Sequence, residues 1–379
     1  MSPLISLRLT FAFNGLGIAV WFPRIPDVKA ALEVDLLILS LCFFMLPLGT
    51  MLGFFVAPGI LSRIGAWRAC RIVGPLFILA FVLPALARNA VELGVALFVA
   101  GLTVASIEVA MNAKAVQTED HLARRIMTSC HGCWSLGTMV GALLGGGAAA
   151  LGLSFLAQQM LLAPVAAALA WWVARYLLAD DAREPAAERP RLALPKGAMV
   201  AVCLLPMGAL MIEGAMMEWS ALHLRGSLDV SGFAAGVTFA AFALAMALSR
   251  FAGDALAGRW GDRRVLLVSV VLMGAGIAGF SLAPNLAIAA LAAAMTGLGA
   301  ANIYPLAILR AAHTPGGAEK NIATLAFVAF TVFLIGPPFI GAIGDFLGLA
   351  TALFLLTPVA LAPLALLLRE PAPDESPAT

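Results

Sequence analysis

The sequence predicts an all-α polytopic membrane protein with 12 transmembrane helices in two pseudo-symmetric six-helix halves. Three observations predict it. The 379 residues are 62% apolar and only 12% charged, about half the charge share of a soluble domain, and a soluble core of this size cannot hide so much apolar surface. The apolar residues form twelve continuous runs near the roughly 20 residues a spanning helix needs, without the two-residue alternation of a membrane barrel. The last six runs also repeat features of the first six at one offset, 196 residues, the distance from Arg63 to Arg259. A net charge of +2 leaves no footprint for nucleic acid, and five cysteines in so long a chain make no disulfide framework. Soluble enzymes, secreted proteins and disordered scaffolds are excluded.

The first span covers 4–24. It is too long for a removable signal peptide and lacks a small-residue cleavage site, so it is expected to remain as an anchor. Asn14, near its middle, is a candidate substrate ligand; Trp21 is a candidate ring-stacking residue, and Arg24 with Asp27 reads as a gate or interface pair at the outer end. Span two (36–57) leads into a loop with Ser62, Arg63, Gly65 and Arg68, and span three covers 69–87. Span four (91–113) carries Glu108 and Asn112. Ionisable residues inside a bilayer are costly and mark function by default, and residues four apart share a helix face. The carboxyl can bind a proton while the amide binds solute or orients the carboxyl. A purely structural role, an interhelical hydrogen bond worth about 1 kcal/mol or less, would be served equally by Gln.

Span five (126–151) opens with Cys130-His131-Gly132-Cys133-Trp134. Three close ligands with no second pair elsewhere do not complete a tetrahedral metal set, and the order is not that of haem attachment. His131 can bind solute or relay a proton near neutral pH, and Trp134 can stack on a ring. Gly137, Gly141 and Gly145 follow, spaced for close helix approach. Span six covers 154–178, and the Pro-rich polar stretch 179–196 reads as a flexible linker. The halves are thus 1–178 and 197–370, followed by a disordered tail, 371–379.

Span seven (197–222) holds Glu213 beside Gly214 near mid-membrane, and Glu218 beside Trp219 near the outer interface. Five residues place the two carboxyls about 140° apart, so they are not expected to face one cavity equally, and Glu213 is the preferred proton-coupling candidate. Span eight (233–256) runs into a loop bearing Asp254, Arg259 and Gly261, with Arg250 shortly before it, and span nine covers 265–283. In span ten (285–309) Tyr304 falls opposite Glu108 at the repeat offset, flanked by Asn302 and Pro305. Such interrupted segments at corresponding positions point to a substrate site, which makes Asn302 and Tyr304 candidate ligands. Spans eleven (320–344), with Phe330 as a further candidate stacking residue, and twelve (348–368) complete the set.

Nineteen of the 23 Lys and Arg residues fall on the side of the N-terminus, which places both termini in the cytoplasm.

The loop Pro58-Gly59-Ile60-Leu61-Ser62-Arg63-Ile64-Gly65-Ala66-Trp67-Arg68 resembles the signature loop G-x-L-A-D-R-x-G-R-R of the major facilitator superfamily, and Asp254-Ala255-Leu256-Ala257-Gly258-Arg259-Trp260-Gly261-Asp262-Arg263-Arg264 is its second copy. Both keep the Arg and second Gly and replace the Asp, with Ser62 and Gly258; Asp254, one turn earlier, is the expected substitute carboxylate through Arg250 or Arg259. The resemblance implies a gating role for these loop residues. Ser106-Ile107-Glu108-Val109-Ala110-Met111-Asn112 resembles the L-E-T-A-A-N stretch of fucose–proton symporters of that superfamily, which implies proton coupling at Glu108. Those symporters also use an aspartate in span one, where this chain has only Asn14. The glycines of span five are similar to an antiporter motif, G-x-x-x-G-P-x-x-G-G, with Ala142 for its Pro.

These features together lead to a secondary transporter of a small polar, sugar-like solute. It is expected to work by alternating access about a site between spans one, four, seven and ten, driven by a proton gradient without a bound cofactor. No Walker loop is present for direct ATP use. The alternative is proton-driven export of drugs or amphipathic compounds. The expected setting is the bacterial inner membrane, the expected partners are lipid and a small-molecule substrate, and the expected state is a monomer.

Overall fold

The computed structural model describes residues 1–180 and 194–369, without the side chains at 254, 318, 319, 323 and 330. Most of the expected linker and all of the expected tail lie outside the described residues. Among those described, twelve helical spans form the fold and no strand occurs. They are α1 (Pro3–Leu32), α2 (Leu36–Ile64), α3 (Ala66–Leu86), α4 (Ala90–Leu122), α5 (Met127–Ala150) and α6 (Phe155–Ala174), then α7 (Ala198–Leu228), α8 (Gly232–Trp260), α9 (Asp262–Ser281), α10 (Leu286–His313), α11 (Ala318–Leu347) and α12 (Leu349–Leu367). Successive spans alternate in direction, so the start of α1 and the end of α12 lie at one end of the bundle, termed the terminal end; the other is the distal end.

Several helices outrun the apolar runs that predict them. α4 has 33 residues and α7 has 31, because hydropathy ends at the first polar residues while Lys, Gln and Glu continue a helix readily. Elsewhere proline interrupts. α1 passes through a 3₁₀ turn at Phe22–Arg24, around Pro23, and α10 breaks between Ala300 and Ile303. There Pro305 has no N–H to offer the carbonyl four residues earlier.

The 196-residue offset reappears in the helix starts. Leu36, Ala66 and Ala90 open α2, α3 and α4, and Gly232, Asp262 and Leu286 open α8, α9 and α10. The caps match too. Asn89 and Asn285 each stand at φ −156° and accept the backbone N–H three residues on, which satisfies a donor the helix leaves open. Gly65 (φ +81°) and Gly261 (φ +78°) make the two equivalent turns, a conformation that favours glycine.

Close approach is the packing rule. Gly15 lies against the Trp134 carbonyl, Gly137 against that of Ala12, and Gly141 against that of Leu16. A Cβ at any of the three would collide with backbone, so the glycines of α5 form a seam with α1. Contact between the first six and the last six helices runs mainly through α5 on α8 and α2 on α11. On the α5–α8 face Gly146 meets the Gly232 carbonyl and the Gly236 Cα, and Gly236 meets the Ala142 carbonyl.

At the terminal end Lys114 is 1% exposed, pairs with Asp180 and donates to Gln117 Oε1 at 2.6 Å and the Leu178 carbonyl at 2.8 Å. Asp180 also accepts from the backbone N–H of Trp67 at 3.0 Å, in the first turn of α3. A side chain at Gly65 would take the place of this carboxylate. Asp180 therefore supplies beside Gly65 the acid that the loop sequence lacks, while Ser62 only donates back to Gly59 O. Arg63, Arg68 and Arg259 are exposed.

Candidate functional site

A cavity of about 380 Å³ lies between the two sets of six helices, within the range of small-molecule sites. It is lined from α1, α4, α7 and α10, as the sequence suggests, and also from α2, α3, α5, α8 and α11. It extends to Met127 and Thr128, in the first turn of α5 at the terminal end. Towards the distal end it meets a floor of edge-on aromatic pairs that join the two sets, Phe43–Trp219 and Phe22–Phe239. Beyond them Arg24, 4% exposed, donates to Asp27 at 2.6 Å, to Gln158 Oε1 at 2.8 Å and to the Leu153 carbonyl at 2.8 Å. Asp27 also pairs with Arg225 of α7. The pair at the end of α1 thus extends into a link between the two sets.

Of the predicted site residues, Asn14, Glu108, His131, Trp134, Glu213 and Tyr304 all line the cavity. Asn14 Oδ1 accepts from Trp134 Nε1 at 2.9 Å, and His131 stands edge-on to Phe11 at 5.3 Å. Glu108 makes no hydrogen bond or ion pair among the described residues.

Four expectations change. From α4 the cavity is lined by Leu97, Val104, Glu108 and Met111, and Asn112 is not among its lining residues. Asn302 is buried between helices, donating to Ser249 O at 3.2 Å and Ser249 Oγ at 2.9 Å across the Cβ-free face of Gly253. It joins α10 to α8 and is not among the residues lining the cavity. Glu218 does line the cavity together with Glu213. α7 presents an arc that includes Leu210, Glu213, Gly214, Met217 and Glu218, wide enough to hold two groups about 140° apart.

Arg250, expected to act with the loop after span eight, lies on the cavity wall. It donates to Ser135 Oγ of α5 at 2.6 Å and to Glu213 Oε1 at 3.4 Å. Its carboxylate partner is therefore Glu213, and the side chain of Asp254 lies outside the described atoms. Sequence carried a signal for this: Arg250 falls more than two turns before the end of α8, within the apolar run. The wall thus holds three carboxyl groups and one guanidinium among apolar and aromatic surfaces. In a low-dielectric site such groups interact strongly with each other and with bound solute. Among the described residues no group of three His, Cys, Asp or Glu is placed to hold a metal.

Residues 200–379 match the family model of the Major Facilitator Superfamily. The chain is 30% identical over 355 residues to an uncharacterized MFS-type transporter of Yersinia pestis, covering 93% of this chain and 91% of that protein. It is 30% identical over 369 residues to the membrane protein MosC of Rhizobium meliloti, covering 94% and 87%. Among solved structures, the nucleoside transporter NupG superposes with a TM-score of 0.73 at 12% identity, over 98% of this chain and all of that one. The human organic anion transporter MFSD10 superposes with a TM-score of 0.70 at 15% identity, over 96% and 98%. At these identities the likeness is one of fold.

Proposed function

From the premise that this chain belongs to the major facilitator superfamily and is a secondary transporter, not an enzyme, we propose that it moves a small polar, hydroxylated solute by alternating access coupled to protons. The observation that carries the reading is the cavity between the two sets of helices. It is bounded toward the distal end by aromatic pairs, reaches the first turn of α5 at the terminal end, and contains Glu108, which has no ion-pair partner among the described residues. A carboxyl there binds a proton from one side and releases it to the other as the helices rock, so its proton affinity is linked to the conformational equilibrium. Glu213 shares this role through Arg250, whose second contact, Ser135, lies in the other set of helices. Asn14, His131 and Tyr304 are the hydrogen-bonding groups for solute in this reading, and Trp134 offers only its ring face. The basic residues gathered at the terminal end support a cytoplasmic side for it in a bacterial inner membrane, and in this reading the conformation described faces inward.

The test is proton flux in proteoliposomes, read by a pH dye as sugars, nucleosides and organic acids are added. A transported solute is expected to carry protons with it. Glu108→Gln is expected to abolish uphill accumulation and to spare counterflow exchange. Unchanged accumulation by the variant refutes the coupling role. The aromatic walls, with Trp21, Phe43 and Phe77 among them, favour the second reading, export of amphipathic compounds. Thermal stabilisation of the purified protein by hydrophobic cations alone would select it.

A further inference from the structure

One polar pair on the cavity wall has an orientation fixed by its chemistry. Trp134 Nε1 lies 2.9 Å from the side-chain amide of Asn14. An indole nitrogen only donates, so the amide atom facing it is the oxygen. The amide NH₂ of Asn14 is turned the other way and has no hydrogen-bond partner among the described residues, and Asn14 lines the cavity. The two backbones approach closely at this pair. Gly15, next to Asn14, abuts the carbonyl of Trp134 itself, and Gly137 abuts that of Ala12. The pair is therefore held within the α1–α5 seam.

We infer that Asn14 donates a hydrogen bond to an acceptor oxygen of the transported solute, and that Trp134 is the positioning residue that fixes its amide in the donating sense. The inference rests on the transporter reading and narrows its substrate class. At this wall the solute presents a hydroxyl, carbonyl or ring oxygen, while the carboxyls elsewhere in the cavity accept its own O–H or N–H groups. A hydrophobic cation offers nothing for Asn14 to bind. Sites built to hydrogen-bond a solute discriminate strongly against analogues that lack the matching group, because their buried polar atoms are then left unpaired.

The experiment measures binding by calorimetry and thermal shift on the purified full-length protein. D-glucose and uridine serve as oxygen-bearing probes and tetraphenylphosphonium as a cation without an acceptor. Asn14→Ala is expected to weaken binding of the oxygen-bearing probe roughly tenfold. Trp134→Phe keeps a smaller aromatic face but removes the N–H, and is expected to weaken binding about two- to fivefold through loss of the amide's orientation. The double variant should bind no more weakly than Asn14→Ala alone, because Trp134 acts through Asn14; independent packing effects would instead add. Tetraphenylphosphonium binding should be the same in all four proteins. Wild-type protein that binds only tetraphenylphosphonium, or an Asn14→Ala variant with undiminished affinity for uridine and glucose, or additive losses in the double variant, overturns the inference. Asn14-dependent binding without proton-driven uptake defeats the coupling reading and leaves this one standing. Proton-driven uptake of tetraphenylphosphonium that ignores Asn14→Ala does the reverse.

Discussion

Removing the guanidinium of Arg225 should loosen the distal end by a calculable amount. Arg225→Gln deletes the ion pair between α7 and Asp27 and leaves Arg24 with Asp27, Gln158 and Leu153, so no buried charge is orphaned. Two unit charges about 4 Å apart attract by roughly 1 kcal/mol in bulk water and 4 kcal/mol at an effective dielectric of 20. Side chains 34% and 29% exposed belong near the weak limit, where measured pairs give about 0.2–1 kcal/mol. Asp27 also divides its charge between two arginines, which lowers the value of each. A loss of about 0.5–1 kcal/mol shifts the balance between closed and open distal ends roughly two- to fivefold. Spin labels at Ala30 and Asp229, both exposed at the distal end, would read this as a larger long-distance fraction in pulsed electron resonance. The gain should shrink as salt rises from about 0.01 M to 0.5 M, since screening already weakens the pair in the parent protein. An unchanged distance distribution at low salt, or a shift matched by Lys29→Gln, refutes the argument.

Two further outcomes follow from the packing. Asp180→Ala strips buried Lys114 of its counter-charge. It should cost about 2 kcal/mol in thermal unfolding, below the usual 3–5 for a fully buried pair because Asp180 is one-third exposed, and Lys114→Met should recover part of the loss. Gly137→Val drives a branched side chain into the Ala12 carbonyl and should lower the melting temperature or abolish expression, whereas Gly147→Ala, with open space around it, should do neither; equal behaviour of the two would remove the glycine seam as a cause.

Particular residues show why some of the fold and site is legible in sequence and some is not. Glu108 stands out because a lone acid in an apolar run is costly, and it does line the cavity; the 196-residue offset predicts helix starts because capping residues repeat with it. Direction is harder to read. Asn302 is as polar as Asn14, yet one fills the gap left by Gly253 and the other lines the cavity; only the Ser249 and Gly253 spacing on the facing helix distinguishes them. Rotation arithmetic misplaces Glu218 because it treats a cavity wall as a line, whereas α7 presents a broad arc. Asp180 resembles the start of a linker, and its role depends on a contact with Lys114, 66 positions away in the chain, which no local pattern encodes.

The α5–α8 face, where Gly146 and Ala142 meet Gly232 and Gly236, has a mechanical consequence. Interlocked side chains would have to disengage before two helices could turn on each other. Where these four small residues meet, the opposed surfaces are mostly backbone, so this stretch can roll as a bearing does, with little side-chain interlock to break. The choice of state then falls to the groups that clasp elsewhere between the two sets, Arg250 with Ser135, Asp27 with Arg225 and the rings of Phe43 and Trp219.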